Sequence, residues 1–242
     1  MNIQRTKVQT GFFCSADNIT MNPIDVSEFL KEFKDDELIP IPILDDSTSK
    51  TRMSFQSANM NKHIILRKNR FDVIQESLLQ KDVFIDNEAL AEYAGKTFGY
   101  LDYLIKYHSL IGNRLAYIEE GFINVETEEE NKAIQEKLFN YCSFFEHYTR
   151  TKEWTWKNVF NNTIKLNGND EICNTLLTLR RQKLLVKSKQ ESYEINKIRY
   201  TIDVNTFQEN LHNRFNLNNL QEFVAIEQTA INEIYDSLME FL

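Results

Sequence analysis

The chain has 242 residues, a formal net charge of −8, 42% hydrophobic residues and 12% aromatic residues. This apolar content is enough for a sizeable core and excludes global disorder, and the acidic balance means that the overall field does not attract nucleic acid or anionic lipid. With 6 glycines, 3 prolines and no Gly-x-Gly or Walker-type stretch, the sequence also excludes a glycine-rich phosphate-binding loop.

The residue types that ligate metals or act as nucleophiles are scattered. Cys14, Cys142 and Cys173 form no Cys-x-x-Cys pair, which argues against a disulfide framework or a zinc ribbon. The histidines show neither His-x-x-x-His nor His-Glu-x-x-His spacing. We therefore predict no catalytic residues, no metal site and no cofactor. Because no apolar signal segment opens the sequence and no apolar run approaches about 18 residues, we expect a bacterial cytoplasmic protein without membrane association.

The first elements alternate between strand and helix. Lys7 to Phe13 alternates apolar and polar residues and predicts a strand. Asp25, with Glu28 three residues later, is typical of a helix N-cap with a capping box, and the helix is expected to reach Phe33. The prolines within the stretch from Ile39 to Ile43 predict an extended segment, because each proline disfavours the helical conformation of the residue before it.

Hairpins and two capped helices are predicted next. Residues 53–75 indicate a hairpin that turns at Lys68-Asn69, and a second turn near residues 59–61 would make it a three-stranded meander. Asp86 or Asn87 is expected to cap a helix that runs to about His108. Residues 114–125 predict a strand with a bulge at Gly121. Thr127 is then expected to cap a helix that reaches about His147.

The last third of the chain is predicted to be strands followed by one long helix. Asn167-Gly168 is typical of a tight hairpin turn. Residues 176–187 are compatible with helix or strand, and we favour strand. Residues 197–207 show strict period-two alternation, with Ile198, Tyr200, Ile202 and Val204 on one side. An apolar stripe from Leu220 to Leu242 predicts a terminal helix that covers the sheet.

These elements together predict an α+β fold in which helices cover antiparallel sheets. We expect two related halves, an N-terminal α+β half at residues 1–150 and a C-terminal α+β half at residues 151–242, with a hinge near residues 149–156. One continuous domain is the alternative division of the same elements.

Three stretches of the sequence carry a family resemblance. They are the hairpin and helix from Phe55 to Leu104, the run Gly112-Asn-Arg-Leu-Ala-Tyr-Ile118, and the run Tyr200-Thr-Ile-Asp-Val204 before the terminal helix. In these stretches the chain resembles a sporadically distributed family of bacterial proteins of about 250 residues with no assigned function. Glu119 stands where that family usually has an asparagine. The resemblance implies no catalytic residues, and the irregular distribution implies mobile or defence-linked gene neighbourhoods.

Two basic runs are candidates for contacts with nucleic-acid phosphates. They comprise Lys62, Arg67, Lys68 and Arg70 in the first hairpin, and Arg180, Arg181, Lys183 and Lys187 in a later strand. The alternative, which we favour, is a solvated strand edge on which the cations discourage edge pairing.

Two features are candidates for contacts with a protein partner. Trp154 and Trp156 lie on the same side of an extended segment, which is typical either of an aromatic anchor for a partner or of core residues, the interpretation that we favour. The stripe of the terminal helix could likewise dock on a partner, although covering the protein's own sheet is the more common role.

The sequence favours a non-catalytic protein-interaction or regulatory subunit, for example the partner of an effector in a bacterial antiviral defence or toxin–antitoxin operon. A nucleic-acid-binding module that uses the basic strand faces is the alternative. A second alternative is an enzyme whose site is assembled from scattered residues. We expect a protein partner, and unpaired sheet edges leave self-association into a homo-oligomer open.

Overall fold

The computed structural model describes residues 2–15, 22–45, 50–77, 84–139, 153–187 and 192–241. The strands are β1 (Asn2–Cys14), β2 (Leu38–Asp45), β3 (Lys50–Ser57), β4 (Lys62–Leu66), β5 (Arg70–Glu76), β6 (Gly112–Asn124), β7 (Trp154–Leu166), β8 (Asn169–Lys187) and β9 (Ser192–Thr206). The helices are α1 (Pro23–Glu32), α2 (Asn87–Tyr107), α3 (Glu128–Leu138) and α4 (Leu217–Phe241).

All nine of these strands belong to one antiparallel sheet with the order β2-β3-β4-β5-β1-β6-β9-β8-β7. The predicted α+β class, with helices covering antiparallel strands, is confirmed, although one sheet replaces the several that were expected. Strands from before and after residue 150 meet where β6 pairs with β9, from Ala116 opposite Asn205 to Asn124 opposite Lys197. The division into residues 1–150 and 151–242 stays a prediction, and the first half of the predicted hinge, residues 149–152, lies outside the described residues.

The helices cover one face of the sheet. The alternation in β9 places Ile198, Tyr200, Ile202 and Val204 in the core, as predicted, with at most 1% of each side chain exposed. Phe29 of α1 packs on Phe55 of β3, with ring centroids 4.4 Å apart. α2 lies on β1 and β5, while α4 lies on β1, β6 and β7. Among the described residues, none of these helices combines the length and the apolarity that crossing a membrane requires.

The caps of the helices follow the sequence with one correction. The prediction that Asp25 caps α1 is wrong, because Asn22 is the N-cap and Asp25 is the N3 residue of its capping box. Pro23 takes the first helical position, where its missing N–H costs nothing. Asp86 caps α2 and Thr127 caps α3, as predicted. The predicted continuation of α3 to His147 lies beyond the described residues.

The central residues of the predicted strands form strands in the structure, and these strands extend beyond the predicted ends. The meander appears as β3, β4 and β5, and the proline segment joins it as β2. Residues 176–187 form part of β8, a strand as we favoured. β7 and β8 form the predicted hairpin, with Leu166 opposite Asn169 and with Asn167 and Gly168 both at positive φ.

The prediction of a bulge at Gly121 is wrong. Arg5 pairs with Gly121 and Lys7 with Glu120, so the extra residue at this shift in register is Thr6 of β1. A Cβ atom at Gly121 would come within 2.1 Å of the Gln4 carbonyl oxygen and 2.6 Å of the Tyr200 hydroxyl. Neither a backbone carbonyl nor a buried ring can move aside easily, so the position requires glycine.

Replacing Gly121 by alanine should therefore lower the free energy of unfolding by about 3 kcal/mol, because the methyl group overpacks the core. Gly95 in α2 is the matched control, since no atom lies within 4 Å of the place that a Cβ there would occupy. Gly95→Ala should stabilise the protein by about 1 kcal/mol through helix propensity. Urea denaturation of both variants measures the difference, and equal effects would contradict the prediction.

Candidate functional site

β7 is one edge of the sheet, and its outer side pairs with no described strand. Val159 and Phe160 at its centre are 61% and 49% exposed, and the strand contains no proline. The opposite edge, β2, carries Pro40 and Pro42, which remove backbone donors and blunt an edge against pairing. β7 is therefore a long, proline-free edge of the described sheet, with Val159 and Phe160 exposed among polar residues.

An apolar groove of about 640 Å³ runs beside this edge, between the β7–β8 hairpin and the C-terminal half of α4. Its apolar walls include Leu138, Trp156, Phe160, Leu177, Ile234 and Phe241, and its polar residues include Asn162, Glu233 and Ser237. Apolar grooves beside open backbone donors and acceptors are a recurrent arrangement for binding extended protein segments. We call β7 and this groove the edge surface.

The two predicted anchor residues have different positions. Trp154 is buried and packs against Phe139, with ring centroids 5.7 Å apart in an edge-to-face arrangement. Trp156 is partly exposed and lines the groove. The two rings lie on the same face of β7, but of the two only Trp156 lines the groove. The role of both residues in partner binding stays a prediction.

The first basic run is divided between the two faces of the sheet. Lys62 forms an ion pair with Glu92 of α2, on the helix-covered side. Arg67 and Arg70 lie on the opposite face, where both bind the buried Asp72 carboxylate at 3.2 and 2.8 Å. Lys68 is exposed in the turn between β4 and β5. Lys62 is thus paired with one carboxylate, whereas Arg67 and Arg70 share a single carboxylate.

The second basic run is likewise divided. Arg180 is exposed and lies opposite Arg199 of β9. The neighbouring Arg181 is buried on the other face, where one nitrogen donates to both oxygens of Glu128 at 2.8 Å. For Lys183 and Lys187 the structure describes only their place in β8. Three strands separate β5 from β8, so the two runs are about 19 Å apart. The structure therefore does not bring the two runs together, and their role in nucleic-acid binding stays a prediction.

A buried polar cluster lies beneath α4, where the sequence indicated only a departure from the family pattern. Glu119 of β6 is 1% exposed and forms an ion pair with Arg5 of β1 at 2.5 Å. The Tyr117 hydroxyl donates to one carboxylate oxygen at 2.8 Å, and the Tyr235 hydroxyl donates to the other at 2.7 Å. The Tyr200 and Tyr235 hydroxyls lie 3.1 Å apart, and because the Tyr235 proton points to Glu119, Tyr200 is the donor between them.

The electrostatics of this cluster follow from its burial. Burial by itself lowers the pKa of the Arg5 guanidinium, but Glu119 and the two tyrosines beside it raise that pKa well above its ordinary value. Burial raises the pKa of Tyr235, and the negative charge of Glu119 raises it further. Arg5 therefore stays charged and Tyr235 stays neutral near neutral pH, and the cluster ties α4 to β1, β6 and β9.

A sequence signal for this cluster exists in the period-two pattern of β6. Tyr117, Glu119, Gly121 and Ile123 share the core-facing side, so a glutamate at the second position must find a buried partner. The pattern could have shown that Glu119 is buried. It could not have identified Arg5, which is more than a hundred residues away along the chain.

A second buried carboxylate has no such partners. Glu227 of α4 is 1% exposed, and its Oε1 atom accepts no hydrogen bond from the described residues. Burial raises the pKa of Glu227 to about 7. Cys173 lies beneath α4 on β8, and burial, with added repulsion from Glu227, raises the pKa of its thiol to about 12. A thiol with such a pKa is not nucleophilic near neutral pH.

Neither a metal site in the described residues nor a related protein indicates a function for this chain. The described residues contain no group of three or more His, Cys, Asp or Glu side chains that could hold a metal ion. His147 lies outside these residues. Comparison of the sequence with protein-family models found no match, and comparison with curated proteins found none.

Glu227 makes the stability of the fold depend on pH. The folded protein holds this proton with a pKa of about 7, whereas the ordinary value is 4.5. Holding this proton stabilises the folded state fully below about pH 4.5, and this stabilisation is lost as the pH rises through 7. The loss amounts to about 3 kcal/mol in the free energy of unfolding.

In Glu227→Gln, whose side chain stays neutral, the free energy of unfolding should no longer fall between pH 5 and pH 8 for this reason. Urea denaturation at both pH values measures it. Exposed Glu209→Gln is the control and should behave as the unmodified protein. A loss of equal size in Glu227→Gln would show that Glu227 does not cause it.

Proposed function

We propose that this protein is a non-catalytic protein-interaction or regulatory subunit that docks a protein partner on the edge surface. The observation that carries the proposal is the combination of an open, proline-free edge strand with an adjoining apolar groove of about 640 Å³. Main-chain groups of an edge strand supply affinity for an extended segment, and pockets beside it supply specificity.

The character of the edge surface supports a protein partner over other ligands. Val159, Phe160 and Trp156 offer apolar and aromatic contacts of the kind that dominates binding energy between proteins. An apolar groove bordered by Glu233 offers little to a phosphate backbone, which requires converging cations. The described cations of the two basic runs are divided between two faces, so nucleic-acid binding is the less supported alternative.

The catalytic alternative also has little support among the described residues. The strongly buried titratable groups beneath α4 are locked in a hydrogen-bonded cluster around Glu119, and the Cys173 thiol is protonated. A catalytic residue needs a pKa near the working pH together with access to substrate. Glu227 has such a pKa, but it is sealed beneath α4.

The cellular context of the proposal rests mainly on the sequence. The resemblance to a sporadically distributed bacterial family supports a role in a mobile or defence-linked operon. The proposal includes a cytoplasmic location, which suits the buried free thiols of Cys14 and Cys173 because that compartment keeps thiols reduced.

The proposal predicts which exposed apolar residues bind the partner. Phe160→Ser should lower the affinity for the host partner by at least about tenfold, because truncating a central aromatic contact removes binding energy. Leu211→Ser is the matched control, since Leu211 is 75% exposed in the segment between β9 and α4, away from the edge surface, and it should leave the affinity unchanged.

Quantitative affinity purification of the tagged protein from its native host, followed by titration with the purified partner, measures both effects. Circular dichroism establishes that both variants are folded. A partner that binds both variants equally would place the interface elsewhere, and the recovery of no stoichiometric partner would count against the proposal.

A further inference from the structure

The direction of the backbone groups along β7 follows from its hairpin turn. Asn167 and Gly168 have φ values of 50° and 79°, which is typical of a two-residue type I′ turn. The flanking pair, Leu166 and Asn169, exchanges hydrogen bonds across such a turn. Because these bonds alternate along an antiparallel pair and the register to Trp154 is unbroken, the even-numbered residues of β7 bond to β8. The odd-numbered residues direct their N–H and C=O groups outward.

The outward groups of β7 are self-complementary. In an antiparallel pair of two β7 strands related by a two-fold axis at residue 159, the odd-numbered residues oppose odd-numbered residues. Val159 opposes the same residue of the other copy, and Lys157 opposes Asn161. Each opposed pair can then exchange its hydrogen bonds, because both members point outward.

Among the registers in which odd-numbered residues oppose each other, the charges favour the one with the axis at residue 159. With the axis at residue 158 or 160, neither Glu153 nor Lys165 faces a residue of opposite charge. With the axis at residue 159, Glu153 lies opposite Lys165 at both ends of the paired strands, and both side chains are exposed. Lys165 also forms an exposed ion pair with Asp170 of β8 at 2.8 Å. With the axis at residue 157, Lys157 would face itself. With the axis at residue 161, Lys157 would face Lys165 twice, and like charges directly opposite each other are unfavourable. Placing the axis at 159 also pairs β7 from Trp154 to Lys165, with Glu153 lying just before the strand.

The apolar side chains fit the same arrangement. Trp156 and Phe160 lie on the helix-covered face of β7, where both line the groove. In this register Phe160 is the diagonal neighbour of both Phe160 and Trp156 of the other copy, a spacing that aromatic side chains bridge. The two grooves would then adjoin across the axis, and Val159 would meet its equivalent on the opposite face.

From these observations we infer that the occupant of the edge surface is a second copy of this chain, paired antiparallel through β7 with the two-fold axis at Val159. The inference rests on the proposed function, because it identifies the partner of the surface described there. It joins two nine-stranded sheets into one continuous sheet and leaves β2 as the edge at both ends.

The mass of the full-length protein tests the inference directly. Analytical ultracentrifugation of the unmodified protein should give twice the chain mass of 28.7 kDa. Val159→Pro removes an outward donor but none of the bonds to β8, so it should give a folded monomer. A monomer at every concentration of the unmodified protein overturns the inference, and so does a dimer that Val159→Pro leaves intact.

A charge reversal tests the register independently. Glu153→Lys should raise the dimer dissociation constant about tenfold, because two attractive pairs become repulsive. The double variant Glu153→Lys with Lys165→Glu should restore the constant to within about threefold of the original. Glu209→Lys carries the same change in net charge away from β7 and should leave the constant unchanged. Failure of the double variant to restore pairing overturns the register.

A disulfide reports the position of the axis. Opposed residues that exchange hydrogen bonds have Cα atoms about 5.5 Å apart, which is within the range that a disulfide spans. Val159→Cys should therefore crosslink two copies under mild oxidation, whereas Asn161→Cys should not, since residue 161 faces residue 157. Crosslinking of both variants alike would contradict the axis.

These results separate the inference from the proposed function. If the unmodified protein is monomeric but Phe160→Ser still abolishes capture of a different host protein, the self-pairing is wrong and the proposed function stands. If the protein dimerises through β7 and no other partner depends on Phe160, the self-pairing stands as the interaction itself.

Discussion

The pairing of β6 with β9 is the contact on which the rest of the molecule depends. It joins strands from before and after residue 150 into one sheet, and it brings Tyr117 opposite Val204 and Glu119 opposite Ile202. Since side chains alternate between the faces of a sheet, this register directs Tyr117, Glu119 and Tyr200 toward the same side. α4 can then cover one continuous apolar face.

The buried polar cluster around Glu119 helps to fix the register of the strands at this junction. Breaking a buried ion pair by removing one partner leaves an uncompensated charge and costs several kcal/mol. A slip of one residue between β1, β6 and β9 would separate Arg5 from Glu119 and turn the tyrosines to the other face. The period-two alternation already opposes a slip of one residue. The cluster also opposes a slip of two residues, which would keep the apolar side chains in the core but separate Arg5 from Glu119.

The two edges of the sheet differ in a way that bears on interaction. β2 carries two prolines and is a poor template for another strand. β7 has no proline and exposes Val159 and Phe160 at its centre. Soluble proteins usually protect a long apolar edge strand, since an unprotected edge invites aggregation. A specific partner, including a second copy with complementary charges, provides such protection.

Short-range patterns in the chain were enough to define the local elements. The alternation in residues 197–207, the turn at Asn167-Gly168 and the capping residues Asp86 and Thr127 each act within a few residues, so a strand, a hairpin and two helix starts could be predicted from them. The α+β class follows from the same patterns. The first helix cap was misplaced because Asn22 and Asp25 are both good capping residues, and only the backbone decides between them.

Long-range packing set the order of the strands, the position of β7 at the edge and the partners of the charged residues. Arg5 meets Glu119 across more than a hundred residues. This relation leaves no periodic signal, because pairing between distant strands does not depend on residue spacing. The pairing of Arg70 with Asp72 is local by contrast, since the two residues lie two apart on the same face of β5. The candidate binding surface also depends on long-range packing, because a strand is an edge only with respect to the whole sheet.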